Sequence, residues 1–198
     1  MLANRIILPE PDWSAAAFFY ESALISGRDV GIAVLIPPER SLQGDSAVCT
    51  LYSLLGVETE FASDGSANLL FKGISREEEF EFDFTDFPDM VPSVAVALCY
   101  RRIPFRFRGV SHLRYKECDR LTALQSLLVR IGYEGEVEND TLVFNGEFRP
   151  YQEFPVEIDP YGDHRMAMAF YPLELAGMVT IEEKQVVSKS FPNFYQQF

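Results

Sequence analysis

The chain has 198 residues, 47% of them hydrophobic and 24% charged, which is the composition of a globular protein large enough to bury a core without disulfides. Its formal net charge of −13 disfavours broad nucleic-acid binding, which needs a basic footprint. Three cysteines without CxxC spacing (Cys49, Cys99, Cys118) exclude a disulfide scaffold or Cys-built zinc site, and two histidines, His112 and His164, are too few for a His-built metal centre.

In chain order, Met1 to Trp13 lacks the apolar region and small-residue cleavage site of a signal peptide, and no apolar run is long enough to span a bilayer. A cytoplasmic protein is expected. From Asp12 the sequence repeats itself with a period of roughly 75 residues, longer than a solenoid repeat, so each repeat should be a small layered unit. The repeats fall at about 10–74, 86–147 and 160–198. Each opens on an aspartate, Asp12, Asp89 or Asp163, placed to cap a helix by accepting from its free N–H groups. The helices cover Ala15 to Ala23, Val91 to Leu98 and Met166 to Leu175. β-type runs follow at Val30 to Leu35, Phe105 to Val110 and Met178 to Ile181. A second, amphipathic helix comes next, clearest in Leu121, Leu124, Leu127, Leu128 and Ile131 and closed by Gly132; Gly56 ends its counterpart. Two strands finish the unit, for example Glu134 to Val137 and Thr141 to Phe144 around the turn residues Asn139 and Asp140. The expected fold is therefore α/β (α+β), a single lobe of three βαβαββ-type units around buried helices, with the third unit short of its last two strands. The acidic-aromatic run from Arg76 to Phe87 reads as a binding strand or, more plainly, as an edge strand with a solvated charged face.

Cations are scarce but clustered. Seven of the 17 lie between Arg101 and Arg120: Arg101, Arg102, Arg106, Arg108, Arg114, Lys116 and Arg120. A local positive site in an acidic chain suits a small anion, whereas Arg106 and Arg108, alternating on a strand, read as exposed. Lys116-Glu117-Cys118-Asp119-Arg120 would form the first turn of a helix, with Lys116 and Arg120 on one face as an anion clamp; i,i+4 surface pairing is the plainer alternative. Asp163-His164-Arg165 starts another helix, where Arg165 is the better anion donor and His164, a lone histidine, reads first as structural. Lys189 holds the repeat position matching Lys116, or is a solvated lysine. Asp89 is the most attractive general base, or simply an N-cap.

LRYKECDRLTAL, DHRMAMAF and SKSFPNF, in this order and with SLQGD and PDM upstream, together resemble the second half of the 3-phosphoshikimate 1-carboxyvinyltransferase (EPSP synthase) family. The resemblance implies an isolated C-terminal lobe of a two-lobe enzyme, whose own N-terminus would complete the short third unit. It implies transfer of the enolpyruvyl group of phosphoenolpyruvate to the 5-hydroxyl of shikimate 3-phosphate, with release of phosphate and no metal or organic cofactor. By motif, Asp89 resembles the base and a shikimate-ring ligand, and Glu117 the acid. Lys116 and His112 resemble shikimate 3-phosphate contacts, and Arg120, Arg165 and Lys189 the phosphoenolpyruvate clamp, with His164 beside it. Cys118 stands where the family usually has Ser or Thr, and His112 where it can have Asn. The partners implied are the two phosphorylated substrates and the missing lobe, with neither nucleic acid nor membrane, and the isolated chain should be inactive. The alternatives are the lobe of a UDP-N-acetylglucosamine enolpyruvyl transferase and a non-catalytic anion-binding lobe.

Overall fold

A computed structural model describes residues 9–74 and 79–198. Helix α1 (Trp13–Ser26) starts where the Asp12 carboxylate accepts from the Ala15 N–H, and it ends at Gly27 in the left-handed region. After β1 (Val30–Ile32) the chain forms α2 (Val48–Leu54) and the strands β2 (Val57–Phe61) and β3 (Ala67–Phe71). Gly56, with φ of 85°, makes the turn out of α2; a Cβ there would meet the Gly73 carbonyl oxygen at 1.8 Å. The second stretch is β4 (Phe80–Asp83), α3 (Val91–Arg101), β5 (Phe105–Arg108), α4 (Arg120–Ile131), β6 (Tyr133–Glu138) and β7 (Thr141–Phe148), a full βαβαββ unit. The third is β8 (Val156–Ile158), α5 (His164–Leu175) and β9 (Val179–Ile181), with a 3-10 segment, Lys184–Lys189, in place of a second helix and, among the described residues, no closing strands.

Sheet pairing repeats with the sequence. The order β5-β7-β6 matches β1-β3-β2, antiparallel throughout, while β4 adds to β5 in parallel as β8 does to β9. The first β-type runs are shorter than their apolar stretches suggest, stopping at Ile32 and Arg108 because the chain then turns away to carry loops. Of the acidic-aromatic run, residues 76–78 lie outside the described residues. Its described part, β4, is an edge strand with Phe80 buried and Glu81 and Asp83 exposed, and Glu81 pairs with Arg108.

Helices α1, α3 and α5 are apolar almost all round and pack against one another as the core. They run parallel. Their N-terminal ends meet where Asp12, His164 and Arg165 line one cavity and Arg165 reaches Asp89, and their C-terminal ends meet where Ile25, Tyr100 and Leu175 line another. The positive ends of three helix dipoles therefore point to one end of the molecule. Helices α2 and α4 and the sheets form the outer layer.

Two sequence expectations are corrected. Asp89 is not a helix cap. It lies in a 3-10 turn, Pro88–Met90, the residue before α3 is Met90, and no side chain caps that helix. Its carboxylate is thereby left for other partners. Lys116 is not on the first turn of α4, because Asp119 caps that helix by accepting from the Thr122 N–H and starts it at Arg120; Lys116 is extended.

Candidate active site

Four segments that precede or follow core elements bring charged side chains to the N-terminal end of the three helices. They are the turn before α3 (Asp89), the stretch before α4 (Lys116 to Arg120), the start of α5 (Asp163 to Arg165) and the segment after β9 (Lys189).

Arg120 is the hub. Its side chain is 1% exposed and each guanidinium nitrogen meets a different carboxylate: Nε to Asp163 Oδ2 at 2.8 Å, Nη1 to Asp89 Oδ1 at 2.9 Å, and Nη2 to Glu117 Oε2 at 2.7 Å. Asp163 is fully buried and works twice. One oxygen accepts from Arg120, and the other accepts from the backbone N–H of Arg165 at 2.9 Å, starting α5. Charge-assisted bonds of this kind are the strong class and fix geometry.

Around this frame stand the more accessible cations. Lys116 Nζ lies 3.0 Å from Asp89 Oδ1, and Arg165 Nη2 3.4 Å from Asp89 Oδ2. Lys189, 62% exposed, reaches Glu117 Oε1 at 3.8 Å, and His164 Nδ1 stands 3.7 Å from the same oxygen. Four cations thus face three carboxylates, leaving a small positive excess inside a chain of strong negative charge. Burial raises the Asp89 carboxyl, but Arg165, Lys116 and Arg120 outweigh it and hold it below the ordinary carboxylate value. Burial pushes His164 down, against the pull of Asp163 and Glu117, so its ring is neutral at neutral pH.

Seven of the eight sequence-selected residues therefore meet: Asp89, Lys116, Glu117, Arg120, His164, Arg165 and Lys189. His112 is the exception, exposed on the 3-10 segment Ser111–Tyr115 with no hydrogen bond to the cluster among the described residues. The other arginines of the basic stretch are engaged elsewhere: Arg101 with the Leu24 carbonyl, Arg102 over the Phe148 ring, Arg106 with Glu79 and Glu138, Arg108 with Glu81, and Arg114 with Asp119. Sequence reasoning missed the second role of Asp163. Its pairing with Arg120 spans 43 residues, and no local spacing signals it. A cavity of about 40 Å³ adjoins the cluster between α1 and α5, lined by Ser14, His164, Arg165 and Ser190 among others.

Cys118 closes the frame, with its Sγ 3.7 Å from Asp163 Oδ2. Burial, then the Asp163 charge, pushes this thiol up to about 11. Its thiolate fraction at pH 8 is then lower by roughly a hundredfold than that of an ordinary thiol, so alkylation should slow in proportion. Peptide mapping after a timed iodoacetamide pulse checks this; labelling of Cys118 as fast as in the denatured chain would refute it.

A family model described as EPSP synthase (3-phosphoshikimate 1-carboxyvinyltransferase) matches residues 4–198. A 3-phosphoshikimate 1-carboxyvinyltransferase of Bacteroides fragilis is 38% identical over 189 residues, covering 94% of this chain and 45% of the relative. One from Syntrophobacter fumaroxidans is 35% identical, covering 99% and 48%. Among solved structures, EPSP synthase from Acinetobacter baumannii superposes with a TM-score of 0.69 at 24% identity, over 95% of this chain and 45% of that one. The enolpyruvyl transferase NikO from Streptomyces tendae superposes with a TM-score of 0.71 at 15% identity, over 96% and 43%. At such identities the structural likeness speaks for the fold. The chain spans about half the length of the curated relatives it matches.

Proposed function

The chain belongs to the EPSP synthase family, and from that premise we propose that residues 1–198 form the C-terminal lobe of a two-lobe transferase. The reaction proposed is transfer of the enolpyruvyl group of phosphoenolpyruvate to the 5-hydroxyl of shikimate 3-phosphate with release of phosphate, a step of aromatic amino acid biosynthesis in the cytoplasm. The observation that carries the reading is the charged cluster: cations for phosphate and carboxylate groups stand within reach of two part-exposed carboxylates.

In this reading Asp89 takes the proton of the attacking hydroxyl as its oxygen bonds to C2 of phosphoenolpyruvate, and Glu117 delivers a proton to C3, giving a tetrahedral intermediate. Cleavage of the C2–O bond to phosphate, with loss of a proton from C3, yields the enol ether. Lys116 and His112 are assigned to shikimate 3-phosphate. Arg165 and Lys189 present accessible charge to phosphoenolpyruvate and its leaving phosphate. Arg120 can join that clamp only by releasing Asp89 or Glu117, so ligand binding and freeing of the carboxylates are one exchange. His164 lies beside Glu117. The second lobe would supply the remaining contacts.

Positioning by both lobes accounts for much of such a rate. The 198-residue chain alone should accordingly show negligible turnover in a coupled phosphate-release assay, and activity should appear when the other half is supplied. Robust turnover by this chain alone would overturn the two-lobe reading; no turnover by the completed protein with these substrates would overturn the reaction.

A further inference from the structure

Independently of any catalytic role, we infer that Glu21 is held as the neutral carboxylic acid in the folded chain, in an apolar interior where neither of its oxygens meets a donor. Glu21 sits mid-way along α1 with no exposed surface, and both its oxygens lack a hydrogen-bond partner among the described residues. Tyr52, on α2, is equally buried, and its hydroxyl is also unpartnered; it lies close to Glu21 on one side and to Ser93 of α3 on the other. Ser93, 2% exposed, donates to the Met90 carbonyl at 3.0 Å, the residue next to Asp89.

Burial without a partner selects the protonation state. Ser93 spends its only proton on Met90, so its oxygen is an acceptor. The Tyr52 hydroxyl is not bonded to Glu21 either, so an ionised Glu21 would be a bare charge in an apolar core with no donor on either oxygen. A protonated Glu21 removes that charge and leaves only the smaller cost of a neutral polar group without a partner. Burial pushes both the Glu21 carboxyl and the Tyr52 hydroxyl well above their ordinary values, in accord with this.

Among the described residues, nothing charged compensates Glu21. It is the only ionisable acid on α1, and α2 carries no charged residue. On α3, Arg101 directs Nε to the Leu24 carbonyl. On α5, His164 and Arg165 belong to the charged cluster with Asp89, and Glu174 binds Lys184. Asp45 takes Ser14, and Glu58 and Glu60 of β2 are exposed. Strands β1 and β3 carry no charge.

Linkage makes the inference measurable. A carboxyl whose folded value is raised holds its proton longer in the folded state, so its contribution is fully present below the unfolded value and declines as pH rises toward the folded one. In that window the folding equilibrium constant falls about tenfold per pH unit. Glu21→Gln keeps shape and donor but cannot ionise. Urea denaturation of both chains between about pH 6 and 8 should show the wild type losing ground to Glu21→Gln at roughly that rate. A difference independent of pH would overturn the inference. Should the variant fail to fold, the wild type still decides. At pH 7.5, where histidines and thiols contribute little, its unfolding should release about one proton in a pH-indicator experiment, and release of none would overturn it equally.

Discussion

Replacing Arg120 by alanine is expected to cost about 3–5 kcal/mol of folding stability, because it strands Asp163 as an unpaired charge with no exposed surface. A domain of this size is stable by about 5–15 kcal/mol, so the substitution removes a large fraction of the total. The denaturant midpoint should fall with little change in slope, and the melting temperature should drop by on the order of 10 °C. Arg120→Lys should recover only part of this loss. A lysine keeps the charge but cannot meet three carboxylates with three nitrogens set in one plane. A midpoint unchanged in Arg120→Ala would mean that Asp163 finds another partner and that the cluster is not a frame. The expectation reverses the one the motif alone suggests. As one arm of an exposed clamp, Arg120 could be lost with damage confined to ligand binding; as a buried hub, it cannot.

The reach of the sequence follows from this difference. Repeats, buried helices and the incomplete third unit were legible because apolar periodicity and turn residues are local signals. Gly132 closes α4, and Asp12 and Asp163 cap α1 and α5, as their positions invite. Membership of the cluster was legible through motifs. The roles within it were not, because each is set by partners distant in sequence. Asp89 looks like Asp12 and Asp163, yet Pro88 and Met90 place it one residue too early, in a tight turn, and its carboxylate goes to cations from two other segments instead of to its own helix. Asp119, an ordinary residue in the motif, captured the Thr122 N–H and shortened the helix, which took Lys116 off the face it was expected to share with Arg120. The buried acid Glu21 carried no signal either. It stands alone among alanines and aromatics, and its burial is set by the packing of α1 against neighbouring elements.

Asp89→Asn in the completed two-lobe protein separates chemistry from binding. The amide keeps the shape and removes both a base and an anion. If Asp89 accepts the hydroxyl proton, turnover should fall by roughly a hundredfold or more, the scale for loss of a general base. The charge around it makes a second, sharper expectation. With Arg165, Lys116 and Arg120 on its oxygens, Asp89 is ionised at neutral pH but weakly basic. Anionic ligands that draw Lys116 and Arg165 to themselves would remove part of that attraction and raise its basicity at the moment it is needed. The acidic limb of the kcat profile, which reports the bound enzyme, should therefore lie at higher pH than the limb of kcat/KM that reports the free one. In Asp89→Asn this limb should vanish from both profiles along with the turnover. Affinity for phosphoenolpyruvate should hold or improve, since a carboxylate competing for the same cations is gone. Near-normal turnover in Asp89→Asn would leave Asp89 as nothing more than the counter-ion of three cations.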